Sequence, residues 1–170
     1  MWSSTERNTG ISFLKNDQPS LAYEDVVTIV LHRIKYSSDS KMQRLVHLLT
    51  TYDVHHISPR KMQVLCQGLR WLNLISDYDY FYLSFQPDMH PKFNETIGKY
   101  YGRTARPDEP QDMVALWEER VISLGTGENM MRERTERMLK ILLHYDVLHY
   151  AVTASENSDS HSSQSDPLLS

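Results

Sequence analysis

The segment from Ser58 to Ile75 constrains the fold more than any other part of the chain. Ser58 can accept the unpaired N–H groups of a first helical turn, and Pro59 follows where its missing N–H costs nothing. Apolar residues then recur at steps of three and four, namely Met62, Leu65, Cys66, Leu69 and Leu72. This face is widened by Val64, Trp71, Leu74 and Ile75. A helix with so broad an apolar face is normally enclosed, so we predict the central helix of a small all-α domain.

Four further segments have helical spacing, and together they predict a compact bundle of about five helices. They are residues 20–34, 41–52, 108–124 and 128–150. A strand over residues 26–31 is the alternative within the first of them, because β-branched residues are frequent there. Short connections favour antiparallel neighbours, so the first three helices are expected to form the core of the bundle. Gly125 is expected to cap the fourth helix at its C-terminus.

The composition of the two ends predicts disordered termini around one helical domain at residues 20–152. Residues 1–19 are mostly polar and are expected to form a flexible arm. Residues 153–170 are rich in serine and acidic residues and contain no lysine or arginine. Such a segment cannot bury enough apolar surface to order itself, so a disordered tail is predicted there.

An aromatic insertion at residues 76–107 separates the third and fourth predicted helices. Residues 77–85 are the best strand candidate and could pair with residues 96–103 in a hairpin; an ordered loop packed on the helices is the alternative. Tyrosine suits surfaces that are wet when free and dry when bound, because it combines a rigid apolar ring with a hydroxyl. We therefore predict a partner-binding surface here, unless these rings simply cap the core. The predicted contact residues are Tyr78, Tyr80, Tyr82, Phe85, Tyr100 and Tyr101.

Charge argues against a generic nucleic-acid binder but leaves RNA binding as an alternative. The formal net charge is −4, whereas such binders are usually basic. Basic residues nevertheless recur in the third and fifth predicted helices. The candidate RNA contacts are Arg60, Lys61, Arg70, Arg132, Arg134, Arg137 and Lys140. In the fifth helix, Glu133 and Glu136 precede Arg137 and Lys140 by four residues, so these charges could instead form ion pairs on a solvated face.

No pattern in the sequence predicts catalysis, a metal site or a cofactor. Cys66 is the single cysteine and lies on the apolar side of a helix, where a thiol is packed and inert. The eight histidines lack metal-binding spacing, and there is no glycine-rich phosphate loop. The N-terminus has no secretory pattern and no segment is apolar enough to span a bilayer, so a soluble cytoplasmic or nuclear protein is expected.

One short stretch is similar to a known family. Residues 39–66 resemble part of the helical C-terminal domain of filovirus transcription factors: they share an Asp39-Ser40-Lys41 helix start, a leucine-rich helix, and Leu65-Cys66 in the next helix. The similarity covers only these residues and needs a gap, and the zinc-binding cysteines of that family are absent. Small chains with acidic tails also occur as viral matrix and accessory proteins.

The sequence as a whole predicts a non-enzymatic protein that binds other proteins, a viral matrix-like or accessory protein being one form of it. Its partner is unidentified, and a second copy of this chain is among the candidates. An RNA-binding or nucleocapsid-associated helical protein is the alternative function.

Overall fold

The structure is a computed structural model that describes residues 37–125 and 130–162, with side chains as far as Ser155. Its helices are α1 (Ser40–Thr51), α2 (Pro59–Trp71), α3 (Asp77–Ser84), α4 (Ile97–Tyr101), α5 (Met113–Ser123) and α6 (Met130–Ser162), with 3₁₀ turns at Pro87–Met89 and Phe93–Glu95. The all-α prediction is confirmed. Within the described ranges there is no strand, only an isolated antiparallel bridge between Ile57 and Gln111. The arm predicted at 1–19 and the helix predicted at 20–34 lie outside the described residues.

The helix ends follow the local chemistry of the sequence. The Ser58 hydroxyl accepts the N–H of Lys61, and Pro59 occupies the first turn of α2, as predicted. The carboxylate of Asp39 caps α1 in the same way. Gly125, with φ of 69°, has the left-handed conformation expected of the residue that follows a helix. These caps define where the chain turns and therefore which helices become neighbours.

Two helices make most of the contacts in the described part of the fold: α2 contacts α1 and α3, and α6 packs against α1, α3 and α5. Four residues on the predicted inner face of α2 are buried, namely Met62, Leu65, Cys66 and Leu69. Gly68 lets α1 approach closely, because a Cβ there would lie 2.8 Å from the methyl groups of Leu48. The outer side of α2 differs from the prediction of an enclosed helix. Val64, Trp71 and Leu74 are exposed, so the described elements cover only one side of it.

The strand predicted at residues 77–85, and with it the hairpin, is wrong, because residues 77–84 form α3. A capping box starts this helix: the Ser76 hydroxyl accepts the N–H of Asp79, while the Asp79 carboxylate accepts the N–H of Ser76. This cap outweighs the β propensity of the tyrosines that follow. The expected pairing segment forms α4 instead, which ends at Gly102 in a left-handed conformation.

Two boundaries also differ from the sequence prediction. The helix expected from residue 108 starts at Met113, because Gln111 is held in a backbone bridge to Ile57 and the carboxylate of Asp112 caps the next turn. At the other end, α6 runs to Ser162 and includes residues 153–162, which the sequence placed in the tail. Val152 is buried, so packing stabilises the helix as far as this residue. The residues after it extend a helix that already exists, which is easier than starting a new one. Residues 163–170 lie outside the described part of the chain.

Candidate functional site

Helices α3, α5 and α6 enclose an open, largely apolar groove, which we call the aromatic groove. Its volume is about 330 Å³. Trp117 and Met138 are buried in it, whereas Phe81 and Phe85 are 67% and 56% exposed. The complete lining is Phe81, Tyr82, Phe85, Trp117, Arg120, Met131, Arg134, Thr135 and Met138. The groove thus has a buried floor, formed by Trp117 and Met138, and aromatic walls, Phe81 and Phe85, that are open to solvent.

An ion pair fixes the position of α3, and with it the two phenylalanines of the groove. The Asp79 carboxylate accepts hydrogen bonds from Nε and Nη2 of Arg137 on α6, at 2.6 and 2.9 Å. It also accepts the Ser76 hydroxyl at 2.7 Å, although the side chain of Asp79 is almost completely buried. The Arg137 guanidinium is the main reason that the pKa of Asp79 falls to about 2. A charged, hydrogen-bonded Asp79 therefore anchors α3 on α6 and presents Phe81 and Phe85 one helical turn apart.

A second cavity lies on the other side of Phe81 and Phe85. Its volume is about 300 Å³, and it is lined by Gln63, Phe81, Ser84, Phe85, Gln86, Met89, His90 and Pro91. Because the two cavities share both phenylalanines, they adjoin along the exposed side of α3. The two cavities are thus separate open spaces that share the exposed rings of Phe81 and Phe85.

Two arginines of the aromatic groove are stacked on rings rather than paired with acids. The guanidinium carbon of Arg120 lies 4.6 Å from the ring centre of Trp117. That of Arg134 lies 5.4 and 5.7 Å from the ring centres of Tyr78 and Tyr82, and its Nη1 donates to the Tyr82 hydroxyl at 3.1 Å. No carboxylate in the described ranges lies within 4.0 Å of either guanidinium. The arginines that do have such a partner there are Arg60, Arg70, Arg103, Arg106, Arg132 and Arg137.

The predicted partner-binding residues are divided among three places. Tyr82 and Phe85 line the aromatic groove, and Tyr78 adjoins it, with its ring centre 4.7 Å from that of Tyr82. Tyr80 is half-buried against the core, with Arg70 stacked 4.9 Å from its ring centre. The remaining two, Tyr100 and Tyr101, contact each other on α4, are 83% and 68% exposed, and do not line the groove.

Most of the predicted RNA-contact residues already have partners within the protein. Arg60 pairs with Asp108, Arg70 with Asp77, Arg132 with Glu136, and Arg137 with Asp79. The predicted pairs Glu133–Arg137 and Glu136–Lys140 are therefore replaced by other partners. Lys61 and Lys140 are exposed, and Arg134 belongs to the aromatic groove.

Sequence reasoning missed several residues of the groove. Trp117, Arg120, Met131 and Met138 line the groove but are not among the site residues predicted from the sequence. The spacing of Trp117 and Arg120, three residues apart on one helix, was a usable signal for a stacked pair. The approach of α3 to α6 could not be predicted from the sequence, because the contacts that create it join distant residues. Tyr82 contacts Arg134 and Asp79 contacts Arg137, and each pair is more than fifty positions apart in the chain.

No group of three His, Cys, Asp or Glu side chains among the described residues is arranged to hold a metal ion. Cys66 is buried, and this burial raises the pKa of its thiol to about 12, so it stays protonated and unreactive at neutral pH. None of the helices in the described ranges has the length and apolar content that a membrane span requires.

The different environments of Tyr80 and Tyr100 predict different effects of the same substitution. We expect Tyr80→Ala to lower the free energy of unfolding by about 2 kcal/mol, since it removes a half-buried ring from the core. Tyr100→Ala should change it by less than about 0.5 kcal/mol, because that ring is exposed. Urea denaturation of both variants measures the difference. Equal losses would show that Tyr100 packs against a part of the chain outside the described residues.

No protein-family model, curated protein or solved structure matches this chain. The similarity of residues 39–66 to filovirus transcription factors therefore stays a prediction from the sequence.

Proposed function

We propose that this protein is a non-enzymatic protein-binding module that holds an extended segment of a partner in the aromatic groove. The segment would place apolar side chains on the rings and a carboxylate beside Arg120 and Arg134. The observation that carries this proposal is the pair of groove arginines that stack on aromatic rings and form no ion pair within 4.0 Å among the described residues. Among the described residues neither guanidinium is paired with a carboxylate, so such a site offers two cations to an anionic group of a partner.

The shape and composition of the site favour a peptide segment. Two adjoining cavities of about 330 and 300 Å³ suit an elongated ligand that crosses the ridge of Phe81 and Phe85. Aromatic residues, methionine and arginine are the residue types enriched in protein–protein interfaces and their hot spots. Exposed apolar surface of this kind commonly marks a protein interaction site.

RNA binding is less well supported as the function. Four of the seven predicted RNA contacts form ion pairs within the protein, which lowers the positive potential available to phosphates. A viral accessory or matrix-like role and a cytoplasmic or nuclear location remain proposals based on the sequence.

Selection of peptides from a phage-displayed library of random dodecapeptides tests the proposal. We expect the selected peptides to share an acidic residue close to an aromatic or aliphatic one. Their affinity should fall at least about tenfold for Phe81→Ser, which removes an exposed wall of the groove without disturbing the core. Fluorescence anisotropy of a labelled selected peptide measures the dissociation constants.

Tyr100→Ser is the matched control, because it also removes an exposed aromatic ring, one that lies outside the groove. The control should bind every selected peptide as tightly as the unchanged protein. The proposal is contradicted if Phe81→Ser and Tyr100→Ser bind alike. It is also contradicted if the protein selects no peptide and instead binds RNA with an affinity that falls steeply as salt rises.

A further inference from the structure

A second groove lies further along α6, towards its C-terminal end, and is formed with α1 and the C-terminal end of α2. We call it the α1 groove. Its volume is about 210 Å³, and most of its lining is apolar, including Leu45, Leu74, Ile141 and Leu148. Leu74 is 51% exposed there, which leaves a large aliphatic side chain in water. Unlike the aromatic groove, this one has no arginine in its lining.

The chain that leads into α1 has the sequence needed to cover such a groove. Residues 20–34 have helical spacing, and in a helix Val26, Val27, Val30 and Ile34 fall on one face. The opposite side carries the polar residues Asp25, Thr28 and His32, with Leu21 beside them at the start of the segment. A segment with this pattern buries its apolar face against another element if it is to be stable.

The connection between this segment and α1 determines where that face can go. Residues 35–39 separate position 34 from the first residue of α1. A link of this length joins antiparallel helices in helical hairpins. A helix that reverses there runs back along α1, on which Leu45 and Leu49 line the α1 groove one turn apart.

We propose that residues 20–34 form a helix that lies antiparallel to α1 and fills the α1 groove with Val26, Val30 and Ile34. The α1 groove is then an internal contact of the fold, and the aromatic groove is the one left for partners. This inference does not depend on the proposed function, because it concerns only which segment of the chain covers the α1 groove.

Photocrosslinking in the full-length protein tests this assignment. A benzophenone amino acid replaces His144, an exposed residue at the edge of the α1 groove. Equal amounts of nitrogen-15-labelled and unlabelled protein are mixed before irradiation, and the crosslinked peptides are mapped by mass spectrometry. We expect crosslinks to residues 20–34 in which both peptides carry the same isotope, which shows that they belong to one chain.

Two substitutions on the predicted helix make the test specific. Val30→Asp should lower the crosslink yield at least about fivefold, because it places a charge on the docking face. Thr28→Asp adds the same charge to the polar face and should leave the yield unchanged. Leu74 is exposed and lines the α1 groove, so Leu74→Asp should lower the crosslink yield as much as Val30→Asp does. Circular dichroism checks that each variant remains helical.

Three results overturn the assignment. Crosslinks with mixed isotopes would mean that a second copy of the chain covers the groove. Crosslinks to other segments, or none at all, would mean that residues 20–34 lie elsewhere. Equal yields for Val30→Asp and Thr28→Asp would mean that the predicted apolar face does not dock.

Discussion

Leu65→Asp is expected to leave the protein without a folded domain at room temperature. Leu65 is completely buried in the middle of α2, the helix that contacts both α1 and α3. Aspartate there would bury a charge with no partner and leave an empty space where the isobutyl group packed. The expected loss is at least about 4–5 kcal/mol, which is comparable with the whole stability of a domain of this size. Far-UV circular dichroism with thermal melting measures it.

Gln67→Asp is the control for this substitution, because it introduces the same residue into the same helix at an exposed position. Its free energy of unfolding should change by no more than about 0.5 kcal/mol. A Leu65→Asp protein that still melts cooperatively within a few degrees of the unchanged protein would contradict the burial of Leu65 in the core.

Asp79→Ala should produce the second largest loss, about 2–3 kcal/mol. It removes the half of the capping box that the Asp79 carboxylate supplies, its hydrogen bonds from the N–H and hydroxyl of Ser76, together with the contacts to Arg137. The loss stays moderate because the Arg137 side chain is 61% exposed and water can solvate it once the carboxylate is gone. The melting temperature should fall by about 4–12 °C.

Asp77→Ala is the matched control for Asp79→Ala, because Asp77 is the first residue of the same helix and forms an exposed ion pair with Arg70. Exposed pairs of this kind contribute less than about 1 kcal/mol. Equal destabilisation by the two substitutions would show that the buried carboxylate of Asp79 does not anchor α3.

The pH dependence of stability provides an independent check on Asp79. The pKa of Asp79 in the folded protein is about 2, below its usual value of 3.8. A depressed pKa means that the carboxylate stabilises the fold fully above the unfolded pKa, and that this contribution is lost as the pH falls through the folded pKa. The difference in unfolding free energy between the unchanged protein and Asp79→Asn should therefore shrink by roughly 2 kcal/mol between about pH 5 and pH 2.

The sequence was sufficient for α2 because the features that determine this helix are local. Ser58, Pro59 and the three- and four-residue spacing of apolar side chains lie within one segment, and the structure contains the helix that they predict. The same reasoning was not sufficient for α3. The residues of its capping box, Ser76 and Asp79, were visible in the sequence, but the aromatic residues after them have high strand propensity and favoured the wrong prediction.

The candidate site was less predictable than the fold, because it depends on contacts between distant residues. Arg137 illustrates the reason. A residue four positions earlier, Glu133, predicted a local ion pair, yet Arg137 binds Asp79 on α3. A buried carboxylate loses more free energy without a partner than an exposed one does, so the distant residue forms the pair. The spacing of residues within one helix cannot show that a carboxylate on another helix will bind Arg137 in place of Glu133.

A charge-swap cycle between Arg134 and a selected peptide tests the proposed function most directly. The peptide position is the acidic residue whose replacement by alanine weakens binding most. Arg134→Glu should lower the affinity for the original peptide at least about tenfold. A peptide with lysine in place of the acidic residue should bind Arg134→Glu with most of the lost affinity restored. Recovery places the peptide carboxylate beside Arg134 in the aromatic groove. Additive losses, with the lysine peptide binding Arg134→Glu more weakly than the original peptide does, would contradict the proposal that this groove is the binding site.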